Sequence, residues 1–378
     1  MDFDLSSDQK MLRDTVASFV KKQSTVERFR KLREEGTGWQ ADVWAHMGEL
    51  GWLSIPFPED VGGFGATFVE VYLLLEQHGT TLVPEPYIPS VVLAGMAISK
   101  GGNAGQHEKF LTPMIEGQTS LAFAHAERGN RHEAGVVTTT ATKSGSTWSL
   151  SGQKVFVLNG HRADQLVVSA NTPDGVGLFI VDGNGPGITR QTVRTIDEQG
   201  AAIIGLDGAK VDDDRRLGEP GEATVALIEH VLDYGAAAAI AEGLGVCHTM
   251  LEMTKAHLKE REQFGRPIGI FQALQHRAVD MFVELELLRS MAMLAAMSVD
   301  SDDVHERRRA LSAAKVKLTT SGRFIAQQAI QLHGGIGITD EHDIGLFFKR
   351  QLVLGKLFGD DVHHVQRFTE LPDFAERT

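Results

Sequence analysis

The sequence predicts an α+β protein in three parts: an N-terminal helical domain, a middle domain of antiparallel β-structure, and a C-terminal four-helix bundle. Three observations carry this. Apolar residues recur at helical spacing from Leu5 to about Gly117, short β-rich runs separated by Gly, Asn and Asp turns fill Leu121 to about Leu217, and long helical periods return from Ala223. A helical block, a β block and a second helical block are not a βαβ alternation, which disfavours a doubly wound nucleotide-binding sheet. With 378 residues, 42% of them hydrophobic, the chain can bury several cores, and the expected domains are 1–117, 118–222 and 223–378.

The elements follow in order. Met11, Val16, Phe19 and Val20, then Trp44, Met47, Leu50 and Leu53, line helical faces, and Ser6-Ser7-Asp8 offers an N-cap for the first helix. Gly- and Pro-rich breaks at Pro56–Gly65 and Pro84–Pro89 separate these helices. Strands are expected at Val136–Thr140, Trp148–Leu150, Lys154–Leu158 and Gln165–Val168. Helices are expected from Ala223 to about Glu262, Ile270 to Val299 and His305 to Leu332, with a shorter pair after Asp340, packed as a bundle.

Composition narrows the function. A formal charge of −13 and a pI near 5.6 argue against general nucleic-acid or anionic-membrane binding. Cys247 is the only cysteine, so no intrachain disulfide and no clustered-thiolate zinc site can form. The N-terminal stretch MDFDLSSDQK lacks the basic end and apolar run of a secretory signal, and apolar stretches such as Ala236–Ala241 fall short of the ~20 residues that span a bilayer. A cytoplasmic protein without membrane insertion is expected.

Two C-terminal strings carry recognisable chemistry. Arg261 offers a rigid fork of donors suited to a pyrophosphate, and Phe264 an apolar face beside it, although a lone arginine at a helix end is more often a solvated charge. Gln331 can hydrogen-bond the same group, and Gly334 and Gly335 let backbone amides approach phosphate oxygens, although Gly-Gly after a helix is also an ordinary C-cap.

Four strings occur in a familiar order: MGELGWL at Met47–Leu53, PEDVGGFG at Pro58–Gly65, REQFGRPI at Arg261–Ile268 with Phe271, Gln272 and Gln275 behind it, and QLHGGIG at Gln331–Gly337. Together they make the chain resemble the acyl-CoA dehydrogenase family along nearly its whole length. That resemblance implies a FAD-dependent enzyme that desaturates acyl-CoA thioesters between the α and β carbons, with an electron-transfer flavoprotein as acceptor. It implies that Arg261, Gln263, Phe264, Gln331, Gly334 and Gly335 contact the ADP half of a FAD seated mainly on a neighbouring subunit, and hence an oligomer.

The chain also departs from the family. Removing the α-proton needs a carboxylate of raised pKa in a dry pocket. Many members carry it as the Glu of a Y-E-G string 23 residues beyond the Gly-Gly, which here is Phe358; others carry it 26 residues before the arginine, which here is Gly235. Asp233 and Asp360 are the substitutes to consider, with Glu242 and Asp361 nearby, and for each a capping or surface charge is the plainer reading. The family's A-x-T-E and K-x-W-I-T-N-G strings, which supply two hydroxyls and an indole to the isoalloxazine ring, correspond to Ala124–Glu127 and Lys154–Gly160, so Ala126, Leu158 and Phe156 replace them. His132 stands in place of a serine- and glycine-bearing loop.

Losing the base, both hydroxyls and the indole while keeping the neighbour-facing strings points to a tetramer of two chain types, in which this chain most resembles the small subunit of pimeloyl-CoA dehydrogenase. A homomeric enzyme with a relocated base and a non-catalytic CoA-binding scaffold are the alternatives. The acyl group, whether fatty, dicarboxylic or steroid side chain, stays open. His363-His364 is not expected to hold a metal, and Arg307–Arg309, Lys315 and Lys317 are expected on a solvated face.

Overall fold

The computed structural model describes residues 4–36, 38–130 and 132–375. The chain divides into two compact units, one of Met1–Glu34, Thr67–Val83 and Ala236–Thr378, the other of Glu35–Ala66 and Pro84–Gly235.

The N-terminal helices are α1 (Ser7–Gln23), α2 (Val26–Glu35), α3 (Ala41–Glu49), α4 (Phe68–Gly79) and, beyond a π-helical stretch at Ile88–Gly95, the short α5 (Met96–Gly101), α6 (Ala104–Gln106) and α7 (Thr112–Ile115). Ser6 caps α1 through a reciprocal pair with Gln9, as the Ser6-Ser7-Asp8 string predicts. In α4 the run Val71–Leu75 is buried on every side, the signature of a central helix.

The second unit holds the β-structure: β1 (Leu121–Ala124), β2 (Thr140–Ser144), β3 (Thr147–Leu158), β4 (Gln165–Thr172), β5 (Gly175–Asp182), β6 (Ile188–Val193), β7 (Ala201–Asp212) and β8 (Arg216–Leu217). Hydrogen bonding links them in the order β6-β7-β3-β2-β4-β5-β8, with β1 beside β4. Tight turns set the registers; Gly145, at φ 62°, closes the β2–β3 hairpin. Inward side chains including Trp148, Leu150, Val168, Phe179 and Ile204 form its core.

The sheet departs from the expected pattern in two ways. β1 and β4 run parallel, and β2 touches β4 in parallel at Thr140 and Asn171, so the domain is mixed rather than wholly antiparallel. Residues 136–139 form no strand, because the Glu127 carboxylate accepts the Thr138 and Thr139 amides (2.7 and 3.0 Å) and takes the place of a strand partner.

The helical unit continues with α8 (Glu222–Glu260), whose first part up to Gly235 belongs to the β-bearing unit, then the two-stranded β9 (Glu262–Gln263) and β10 (Arg266–Pro267), α9 (Gln272–Ser298), α10 (Val304–His333), α11 (Ile344–Leu354), α12 (Asp361–Thr369) and α13 (Pro372–Ala375). The three long helices expected are α8, α9 and α10, and the shorter pair expected after Asp340 is α11 and α12. An 18-residue window of α8 is apolar and long enough to cross a bilayer, longer than the stretches expected from the sequence, and 61% of it is buried within the protein. Packing explains that composition: a Cβ on Gly245 would come within 1.9 Å of the Glu76 carbonyl oxygen and one on Gly79 within 2.1 Å of that of Glu242, so α4 and α8 cross at glycines.

Of the α10 charges expected on a solvated face, Arg309 is exposed, but Arg307 and Lys315 are buried. Lys315 is fully buried and donates to the carbonyls of Leu354 and Gly355 (2.9 and 3.1 Å), capping the end of α11. Arg307 is buried and donates to the Ser301 carbonyl, and Lys317 pairs with Glu284 at 2.7 Å. Helical periodicity does not distinguish a lysine that reaches water from one that reaches a helix end.

Candidate functional site

The helical unit holds both the Arg261 and the Gln331 strings. After α8 the chain makes a hairpin whose tip, Phe264-Gly265, has both residues at positive φ (58° and 75°). Pairing of Gln263 with Arg266 and of Glu262 with Pro267 fixes it, and the Ile268 amide donates to the Arg261 carbonyl at 2.8 Å. Phe264 stands 88% exposed, meeting Phe271 edge-on at 5.9 Å. Arg261 and Gln263 are exposed, and the Gln263 amide donates to the Glu262 carbonyl at 2.8 Å. Among the described residues the Arg261 guanidinium and the Gln331 amide have no hydrogen-bond or ion-pair partner within this chain.

At the end of α10, Gly334 adopts φ 65° and ψ −143°, a conformation confined to glycine, and its amide donates to the Gln331 carbonyl. Gly335 shows neither a positive φ nor any atom within 4 Å of a Cβ placed on it. Among the described residues nothing requires glycine there. An outside group approaching the backbone would, and phosphate is the chemistry that glycine turns and a free guanidinium fit. The ADP half of FAD therefore has a complementary surface.

The β-bearing unit shows the opposite character where the isoalloxazine ring would need partners. The Ala126 carbonyl accepts the Val155 amide at 2.8 Å, so the two strings lie side by side. A register shift between Lys154 and Val157 puts Phe156 in a bulge at φ 51°, 40% exposed. Ala126 and Leu158 are half-buried and bring no side-chain hydrogen bond. Asn159, at φ 56°, accepts from the Trp39 indole (3.1 Å) and donates to the Leu121 carbonyl (3.2 Å), which locks the turn after Leu158. The residues present fit the ADP half of FAD and do not fit the polar edge of its ring.

One residue beyond Ala126 the site is strongly polar but closed. Lys154 Nζ is fully buried and reaches Glu127 at 2.6 Å and Ser169 Oγ at 2.9 Å, with His125 Nδ1 3.0 Å from the same hydroxyl. Burial pushes the Glu127 carboxyl up, but hydrogen bonds from Lys154, Thr138 and Thr139 outweigh it and hold the group at about 2. Burial lowers Lys154 to about 8 against the pull of Glu127, and lowers His125 to about 3 with help from Lys154. This network was not legible as a site in the sequence, where Lys154 and Glu127 read only as string members.

The two usual base positions hold no acid. Phe358 sits at φ 58° and its carbonyl accepts His364 Nε2 at 3.0 Å; Gly235 is buried within α8. Nearby carboxylates have other tasks. Asp360 caps α12 by accepting the His363 amide at 3.1 Å, with Lys356 at 3.4 Å, and Lys356 also stands 3.7 Å from Asp361. Glu242 is gripped by Arg350 through two bonds of 2.6 and 2.8 Å. Asp233 is buried on α8. His363 and His364 meet edge-on at 79°.

Comparison with known proteins matches profiles for the acyl-CoA dehydrogenase N-terminal domain at residues 6–118, middle domain at 122–206 and C-terminal domain at 225–366. The probable acyl-CoA dehydrogenase YngJ of Bacillus subtilis (strain 168) is 30% identical over 97% of this chain and 98% of its own length. This chain belongs to the acyl-CoA dehydrogenase family. The family's proteins bind FAD and are oxidoreductases acting on acyl-CoA. Mouse mitochondrial short-chain specific acyl-CoA dehydrogenase is 30% identical over 89% of this chain and 83% of its own length. Among solved structures, the ChsE4-ChsE5 complex from Mycobacterium tuberculosis aligns at a TM-score of 0.88 and 27% identity, covering 97% of both chains. Glutaryl-CoA dehydrogenase from Mycobacterium smegmatis aligns at 0.89 and 26%, covering 98% of this chain and 95% of its own. These likenesses carry the predicted three-part acyl-CoA dehydrogenase fold with them.

Proposed function

We propose that this chain is one of two chain types in a cytoplasmic heteromeric acyl-CoA dehydrogenase, of the kind represented by the small subunit of pimeloyl-CoA dehydrogenase. A partner chain supplies the carboxylate that takes the α-proton and the seat for the flavin ring. This chain supplies Arg261, Gln263, Phe264, Gln331, Gly334 and Gly335 to the ADP half of that flavin. FAD, when bound, provides the acceptor for the hydride that leaves the β-carbon.

The observation that carries this reading is the contrast at the two ends of the cofactor. Among the described residues the Arg261 guanidinium and the Gly335 turn are open and unengaged, whereas the side chains of Ala126 and Leu158 offer no hydrogen bond to the ring edge and Phe358 and Gly235 cannot accept a proton. The likeness to one chain of a two-chain complex supports it. An electron-transfer flavoprotein is the proposed acceptor, and an acyl-CoA the substrate.

Two preparations test it: the chain alone, and the chain co-expressed with the product of the neighbouring reading frame. The expected result is a colourless lone chain and a yellow, active complex. A lone chain that retains stoichiometric flavin and oxidises acyl-CoA would instead establish a homomeric enzyme with a relocated base.

A further inference from the structure

A further feature joins the Gln331 string to the end of α8 just before Arg261. Three imidazoles from separate parts of the helical unit lie ring against ring: His257 stacks on His333 at 4.6 Å and 29°, and His333 meets His342 at 4.7 Å. His257 lies in the last turn of α8, four residues before Arg261, whose amide donates to the His257 carbonyl at 2.9 Å. His333 immediately precedes Gly334. The stack thus underlies both halves of the phosphate surface.

Hydrogen bonding assigns a different state to each ring. His333 Nδ1 lies 2.7 Å from the Ala329 carbonyl, which can only accept, so Nδ1 carries the proton and Nε2 is left bare, buried and without a partner. His342 Nδ1 accepts the Ile344 amide at 3.1 Å, so protonating that nitrogen would break a backbone bond. His257, half-buried, has no such engagement and is the ring free to gain a proton. The groups that face it are Glu260 on its own helix, Arg261 one residue past that helix's end, His333 from α10 and His342 from the segment after it, with Glu260 favouring the imidazolium and Arg261 and a protonated His342 opposing it. An imidazolium at His257 would lie over a neutral ring, a favourable cation–π arrangement, yet beside the Arg261 cation.

We propose that His257 is a proton-linked member of the pyrophosphate site: an anion seated against Arg261 and the Gly334-Gly335 turn draws a proton onto His257, and that proton in turn tightens the anion's hold. The inference rests on the reading of Arg261 and Gln331 as a clasp for the ADP half of FAD. Without the anion, burial together with His342 and Arg261 keeps His257 below its ordinary titration range. Two fixed negative charges reverse that balance, and thermodynamic reciprocity requires binding to strengthen as pH falls through the histidine range. The sign follows: with a folded-state pKa raised by the anion, the extra affinity is present at low pH and lost as pH rises past the bound-state value.

The test uses ADP-ribose, whose pyrophosphate diester keeps its charge across the histidine range, and the purified full chain. Affinity should tighten about tenfold between about pH 8 and about pH 5.5, the size of a one-unit shift. Calorimetry near pH 6 in two buffers of different ionisation enthalpy should show proton uptake on binding. His257→Gln should bind ADP-ribose with a flat pH profile and no uptake. Binding by the unmodified chain without proton uptake overturns this inference alone, and so does a pH profile that survives in His257→Gln. No binding of ADP-ribose at any pH overturns the clasp itself and this inference with it. The buffer comparison needs no variant, so a misfolded His257→Gln leaves the question answerable.

Discussion

The Arg261 hairpin and the Lys154 strand face the same kind of problem, a charge placed where a cofactor is expected, and they solve it oppositely. Arg261 is exposed, unpaired among the described residues, and followed in its hairpin by Gly265, whose space is open. Lys154 is buried and satisfied by Glu127 and Ser169, and the same two strings carry aliphatic Ala126 and Leu158. Unspent donors mark a surface kept for an outside partner. Fully spent donors mark structure.

The largest effect that would sharpen this contrast is on stability. Replacing Lys154 by Met leaves the Glu127 carboxylate buried without its cation, which should cost roughly 3–5 kcal/mol in denaturant unfolding. Adding Glu127→Gln should recover much of it. Because Glu127 is depressed to about 2 from its ordinary 4.5, its contribution should be present above about pH 4.5 and fade as pH falls toward 2, a loss visible as a lower unfolding midpoint in acid. An unchanged midpoint in Lys154→Met would mean the pair is not the structural element described.

Arg261→Ala should do the reverse, leaving the lone chain's unfolding within about 0.5 kcal/mol while flavin retention in the complex falls. Loss of charge-assisted bonds worth about 1.5–3 kcal/mol corresponds to roughly ten- to a hundredfold weaker retention. Gly335→Ala is a finer test. Its backbone conformation suits alanine and nothing in the chain crowds the new methyl, so the lone chain should be unaffected, and only an outside group at the turn would sense it, as faster flavin loss from the complex. The smallest effect belongs to Ala126→Thr with Leu158→Thr. Each restored hydroxyl contributes about 0.5–1.5 kcal/mol, so the lone chain should gain weak flavin binding by equilibrium dialysis without activity.

The same contrast explains what the sequence reveals. Helices announce themselves through periodicity and caps, as at Ser6 and along α4. Of the strand expected at Val136–Thr140 only Thr140 pairs, because the Glu127 carboxylate takes two backbone amides that β-propensity alone would assign to a neighbouring strand. Lys315 was placed in water because its helix face could not be known before α11 docked. The imidazole stack was illegible because His257, His333 and His342 meet only after three segments have folded together; the one local hint was the four-residue spacing of His257 and Arg261.

The most direct test is the flavin count of the purified two-chain complex, by absorbance after denaturation against quantitative amino-acid analysis. The account predicts one FAD for each pair of unlike chains, because only the partner type seats a ring. One FAD for every chain would contradict it.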